Sequence, residues 1–173
     1  MNTIKEFCVK VVRELLSIFD FYSIIIDKYS MIERMTMNLS KGALNKCNLK
    51  IIDHQPMSWE FSAFSQNGED GIIEFFLSYI KIPNRYFVEI GSSDGLENNS
   101  SYLAFAKKYS GIMIEGNSSK SKRAKAHLSR FNWGIKYINS LVNRENIGPL
   151  LKQECLCSDP DFFPSISMES IFT

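Results

Sequence analysis

The spacing of apolar positions changes near residue 60. Before it, Ile4, Phe7, Cys8, Val11, Val12, Leu15, Leu16, Phe19 and Tyr22 recur at intervals of three and four. That stripe predicts an amphipathic helix from about Thr3 to Lys28, extending with a break toward Met37. Residues 38–57 contain Gly42, Asn45, Asn48 and Pro56 and read as a connector, with one short strand at Leu49 to Ile52. From Phe61 onward, helical stripes alternate with short apolar runs. Ile72, Ile73, Phe76, Leu77 and Ile80 share a helical face that Pro83-Asn84 ends. Tyr86 to Ile90 is nearly all apolar and predicts a parallel strand covered on both faces. Tyr102, Phe105, Ala106 and Tyr109 form the next buried stripe, closed by Gly111. Ile112 to Glu115 is a second strand, a helix capped by Ser118 or Ser119 runs through Ser129, and Ile135 to Val142 is a third strand. A final helix over residues 143–154 is broken at Gly148-Pro149.

Strand and helix alternating at this interval predict βαβ units. The expected fold class is therefore α/β: a Rossmann-like domain with a mostly parallel sheet over residues 59–173. An N-terminal amphipathic helix and connector over residues 1–58 precede it. Right-handed crossovers would place any ligand along the carboxyl edge of the sheet.

Composition narrows the partners. A chain of 173 residues, 45% hydrophobic, has enough apolar material for one domain with a real core. A net charge of +1 and the absence of a long basic run give no footprint for nucleic acid. Lys120, Lys122, Arg123 and Lys125 read as a solvated helix face. Cys8, Cys47, Cys155 and Cys157 are scattered, and a single residue between the last two fits neither redox nor zinc spacing. With His54 and His127 standing alone, no metal site is expected, and a reducing cytoplasm is the default. The apolar run from Leu15 to Ile26 is interrupted by Asp20 and is too short to span a bilayer. No small-residue cleavage site follows it. Its polar face is mixed in charge, so packing on its own domain or on a second copy is preferred to peripheral contact with the inner membrane face.

Candidate chemistry concentrates after the first strand, in Glu89-x-Gly91-x-x-x-Gly95. Gly91 permits a sharp turn at the strand end, and Gly95 would let the next turn approach a ligand without a Cβ in the way. A dinucleotide turn would carry Gly-x-Gly-x-x-Gly to meet a pyrophosphate. Here Ser92 and Ser93 intervene and Asp94 sits inside the turn, where a carboxylate repels phosphate and favours an ammonium or sulfonium. Twenty residues after Gly95, Glu115 ends the second strand, placed to accept both hydroxyls of a ribose.

Three blocks carry a resemblance: Phe64-Ser-Gln-Asn-Gly-Glu-Asp-Gly-Ile-Ile73, Tyr86-Phe-Val-Glu-Ile-Gly-Ser-Ser-Asp-Gly-Leu-Glu-Asn-Asn99 and Gly111-Ile-Met-Ile-Glu-Gly-Asn117. In this order they resemble the FkbM-like S-adenosylmethionine-dependent methyltransferases, which often accompany surface-polysaccharide genes; the likeness covers about residues 61 to 145. The resemblance implies that Glu89, Gly91, Ser93, Asp94 and Gly95 hold the methionine end of S-adenosylmethionine and that Glu115 holds its ribose. Gln66, Asn67, Glu69, Asp70, Asn98 and Asn99 would flank the cofactor or acceptor mouth, with helix capping an equal reading for the first four. The acceptor it implies is a sugar hydroxyl of a glycan.

The likeness breaks at the fourth strand, where the family has an apolar run ending in Asp-x-Asp-Gly. Here Pro164 interrupts the run, and Ser167 and Glu169 stand where aspartates belong. Glu169 is the candidate acid or base by position only. About four strands are countable instead of seven, so a C-terminally incomplete form that binds cofactor without turnover is one expectation. A non-catalytic interaction protein that uses the N-terminal helix to form a homo-oligomer is the alternative reading. A nicotinamide-dependent oxidoreductase is the third, disfavoured by Asp94.

Overall fold

The computed structural model describes residues 2–154 and 159–163, with side chains described from Glu6 onward except Cys8. Two compact units divide at Met35/Thr36. The first consists of one helix, which is the greater part of α1 (Asn2–Cys47). No helix among the described residues is long and apolar enough to cross a membrane.

The α1 helix runs unbroken past the expected stop at Lys28 or Met37, and Gly42 lies inside it. Gly42 is there for proximity: a Cβ on it would lie 2.3 Å from Ala63 Cβ. The loss of helix propensity at a glycine, about 1 kcal/mol, is therefore set against close approach of the 61–65 segment. Asn45 Nδ2 donates to Ser62 O at 2.9 Å, and Lys46 Nζ donates to Glu74 Oε1 at 2.6 Å. No strand forms at residues 49–52. That stretch turns back instead, with Trp59 Nε1 donating to Ile52 O at 2.9 Å and a 3-10 turn at Pro56–Ser58.

The second unit follows the predicted alternation. Its remaining elements are α2 (Glu69–Leu77), β1 (Tyr86–Ile90), α3 (Ser101–Phe105), β2 (Ser110–Glu115), α4 (Ser118–Leu128), β3 (Ile135–Asn139) and α5 (Ile147–Glu154). The three strands pair in parallel in the order β1-β2-β3. Phe162 forms a single parallel bridge with Phe87 on the free edge of β1, so the chain returns to that edge after α5. Tyr86, Val88, Ile112 and Ile114 make the core of one face, with Leu150 and Leu151 of α5 packed against them. The opposite face carries Phe87, Glu89 and Met113, alternating as strand geometry requires.

Several boundaries shift from expectation. The α2 helix ends at Leu77, before Pro83; Phe75 stacks on Trp59 at 3.7 Å, while Phe76 meets the same ring edge-on at 5.8 Å and is otherwise exposed. The α3 helix is one turn long, and Ala106 is exposed. Gly111 lies in β2 instead of ending a helix, because a Cβ there would lie 2.3 Å from Phe87 O across the strand pair. Asn117 caps α4 in place of a serine, its Oδ1 accepting from Lys120 N at 3.0 Å. Pro149 sits in the first turn of α5, where a missing N–H costs nothing, so Gly148-Pro149 opens that helix instead of breaking it.

Asp70 fastens the entry to the sheet. Its side chain is fully buried, and its Oδ2 accepts from the amides of Ala63, Phe64 and Ser65 at 2.7, 2.7 and 2.9 Å. Burial pushes its carboxyl upward, against the lowering effect of those bonds. Asp70→Ala leaves three amides without their acceptor and is expected to cost about 3 kcal/mol or more in urea unfolding. Asp70→Asn, which keeps one acceptor oxygen, is expected to lose less. Equal losses for the two variants would show that the oxygen is not what holds the loop.

Candidate functional site

Parallel pairing brings the two sequence motifs to one edge. In the register Glu89↔Met113 and Ile90↔Ile114, β1 and β2 end together. Gly91 N and Ser92 N both donate to Ile114 O, at 2.8 and 3.1 Å, which fastens the turn to the end of β2. Glu89 and Glu115 then share a face of the sheet, offset by two residues on neighbouring strands. Strand spacing and rise put their Cα atoms about 8 Å apart.

The turn itself takes unusual backbone angles. Gly91 (φ 75°), Ser93 (φ 51°) and Gly95 (φ 80°) are all left-handed. The two glycines answer different needs. A Cβ at Gly91 would meet no protein atom within 4 Å, so the space before it is open. A Cβ at Gly95 would lie 2.8 Å from Leu128 Cδ1 and 3.5 Å from Ala124 Cβ. Gly95 therefore lets the turn pack on α4, and that packing, not ligand approach, accounts for its small size.

Glu115 holds the turn from the other strand. Its Oε2 accepts from Ser93 N at 2.7 Å and its Oε1 from Asn117 N at 2.8 Å. A carboxylate offers about four acceptor sites, so both oxygens keep a lone pair for hydroxyls. Asp94 is half-buried, and its Oδ1 accepts from Leu96 N at 3.2 Å. Lys120, in the first turn of α4, donates to Ser93 Oγ at 3.2 Å.

Behind the turn, Asn98 braces the loop. Its Nδ2 donates to Ser92 O at 3.0 Å, and its Oδ1 accepts from Ser100 N at 3.1 Å and Ser101 Oγ at 2.7 Å. Asn99 is half-buried next to it. Glu89 is 5% exposed, and among the described residues its Oε2 has no hydrogen-bond partner. Burial pushes its carboxyl up to about 7, with hydrogen bonding from Ser100 opposing the rise. A buried carboxylate oxygen without a partner is costly, and it sits next to an open turn.

The polar block of residues 66–70 is divided in use. Gln66 and Asn67 are exposed. Glu69 Oε2 accepts from Asn67 N at 2.7 Å, closing a local turn, and Asp70 is consumed by the tie to residues 63–65. Asn67 lines an open groove of about 700 Å³ together with Lys41, Asn45, Asn48 and Glu60. Glu169, Pro164 and Ser167 lie outside the described residues, as do Cys155 and Cys157.

Two residues of the site were passed over in the sequence. Lys120 was read as part of a solvated face, although its place three residues after Asn117 puts it in the first turn of the helix that follows Glu115. Ser100 gave no signal beyond a helix start. No protein-family model, curated protein or solved structure matches the chain. What the fold defines is an α/β domain with a three-stranded parallel sheet and a long N-terminal helix.

The raised carboxyl of Glu89 has a stability consequence of known sign. Its folded value, about 7, lies above the ordinary value of 4.5. Between these values the unfolded chain loses its proton first, so stability falls as pH rises through this window and levels off above it. Glu89→Gln, which imitates the protonated acid, is expected to be more stable than the natural chain at pH 8 by on the order of 3 kcal/mol. The gain should fall below about 1 kcal/mol at pH 5. Urea unfolding at both pH values measures it, and a difference independent of pH would refute the assignment.

Proposed function

We propose that this chain binds S-adenosylmethionine at the β1–β2 edge and belongs with the FkbM-like methyltransferases in a Rossmann-like methyltransferase fold. The acceptor would be a sugar hydroxyl of a glycan. The observation that carries this reading is Glu89: a buried carboxylate with one oxygen unpartnered among the described residues, two positions before Gly91, where an added Cβ would meet no described atom within 4 Å. A cation would supply the missing partner, and the methionine end of this cofactor offers an ammonium and a sulfonium. Glu115 supports the reading with two oxygens already oriented by amides and still able to accept the ribose hydroxyls.

Within this reading each residue has a limited task. Gly91 leaves room for the ligand, Ser93 and Asp94 border it, and Asn98 keeps the loop in the shape that presents them. Lys120 lies close enough to the turn to meet the cofactor carboxylate. Methyl transfer requires the acceptor oxygen in line with the sulfonium at near-attack distance, and Glu89, Gly91 and Glu115 would hold the cofactor for that step. A nicotinamide dinucleotide is disfavoured because Asp94 would face its pyrophosphate, whereas Glu115 suits the ribose of either ligand.

Isothermal calorimetry with S-adenosylmethionine, S-adenosylhomocysteine and NAD tests the proposal. The first two are expected to bind and NAD not to bind, with affinity reduced at least tenfold in Glu115→Ala. Because Glu89 must shed its proton to receive a cation, affinity for S-adenosylmethionine should rise about fivefold from pH 6 to pH 7 and a further twofold, roughly, by pH 8, where it flattens. Glu89→Gln should remove that rise. No binding of either sulfur compound at millimolar concentration would overturn the reading.

A further inference from the structure

The first unit presents an apolar surface of unusual regularity. From Phe7 to Tyr29, every large apolar side chain except Val11 and Ile25 is more than half exposed. Val11, Leu15, Ile18, Tyr22, Ile25, Tyr29 and Ile32 recur at alternating steps of four and three. These are the inner positions of a seven-residue repeat carried through three full heptads. In the same frame the outermost position is filled by Glu6, Arg13, Asp20, Asp27 and Arg34, a line of charge opposite the seam. A helix packing on a globular core follows a 3.6-residue period; a strict seven-residue period is matched by another helix supercoiled with the same repeat.

The helix can supply its own partner. Its cations Lys5, Lys10, Arg13, Lys28 and Arg34 are balanced by the anions Glu6, Glu14, Asp20, Asp27 and Glu33. Balanced charge removes the electrostatic attraction that anionic lipid would need. In a parallel, in-register pair the flanking position of one copy meets the flanking position five residues on in the other. That rule brings Phe7 to Val12, Glu14 to Phe19, Phe21 to Ile26 and Lys28 to Glu33: two apolar pairs, one mixed pair and one opposite-charge pair. Val11, Ile18, Ile25 and Ile32 fill one seam position with β-branched side chains, while Leu15, Tyr22 and Tyr29 fill the other, a mixture that fixes no single number of strands. Seven seam positions with their apolar flanks, each shedding on the order of 100 Å², reach the roughly 1,000 Å² that a specific interface requires.

We propose that residues 2–35 form a parallel, left-handed coiled coil with further copies of this chain. The inference is independent of the cofactor reading and fails or stands separately from it. Light scattering after size exclusion should give the full chain a mass of two or more times 19.9 kDa at tens of micromolar. The double variant Ile18→Asp/Ile25→Asp should elute as a single copy, while Asp20→Asn on the outer line leaves the assembly intact. Unchanged thermal unfolding of the sheet unit in the double variant separates lost assembly from lost folding. In a chain whose native cysteines are serines, Ile32→Cys should oxidise to a linked pair, because parallel copies place the two thiols at one level. A single-copy mass for the natural chain would overturn the proposal. So would a single-copy form that floats with phosphatidylcholine–phosphatidylglycerol vesicles. Failure of Ile32→Cys to cross-link in an assembled protein would overturn the parallel orientation.

Discussion

The β1–β2 pairing is the constraint on which the site depends. Two strands that run parallel and in register must end at the same edge, so whatever follows each of them meets. Here Ile90 is followed by a glycine turn and Ile114 by a carboxylate. The bonds from Gly91 N and Ser92 N to Ile114 O, and from Ser93 N to Glu115, are the local result. A register slip of one residue would turn Glu89 toward the Ile112–Ile114 face and expose an apolar side chain in its place. The register is protected by Gly111, which lets Phe87 sit against β2 where a side chain would collide with its carbonyl.

Two buried acids show how similar groups come to different uses. Asp70 and Glu89 are both pushed upward by burial, but their surroundings differ. Asp70 Oδ2 receives three amides, so the group acts as a fastener for the backbone that enters α2. Glu89 is opposed only by Ser100. Among the described residues each acid keeps one buried oxygen without a partner, Oδ1 of Asp70 and Oε2 of Glu89. What separates them is the other oxygen and the place: Asp70 spends its Oδ2 on three amides of the backbone that enters α2, while Glu89 stands two residues before the glycine turn at the end of β1.

The alternation of strand and helix was legible because each apolar run was short, bounded by turn residues and followed by a helical stripe. The strand at Tyr86–Ile90, the carboxylate at Glu115 and the helix after it were all readable in that way. Glycines were less so. Gly42 and Gly111 resembled punctuation, yet each marks a close approach between segments distant in sequence. Gly95 had the look of a ligand contact but is accounted for by Leu128 and Ala124 of α4. A glycine reports that a Cβ is unwelcome without reporting what excludes it, and only tertiary neighbours supply that. The role of Asp70 was hidden for the same reason: its position fits a helix cap, but its partners precede it by five to seven residues.

The charges around the turn argue about the ligand more strongly than its shape. Glu89, Asp94 and Glu115 converge there, and Lys120 is the cation that the hydrogen bonds place beside them. With Glu89 half-protonated near pH 7, the set carries a net charge between −1 and −2. A pyrophosphate would add two more negative charges to this edge, at a cost that the five-residue α3 does little to offset and that only Lys120 and the N-terminus of α4 would relieve. A ligand with an ammonium and a sulfonium against a single carboxylate brings the opposite sign, and its carboxylate has Lys120 within reach. Electrostatics at this edge thus selects against the dinucleotides that a glycine turn after a first strand would otherwise suggest, and it does so through Asp94, the residue that departs most from the dinucleotide pattern.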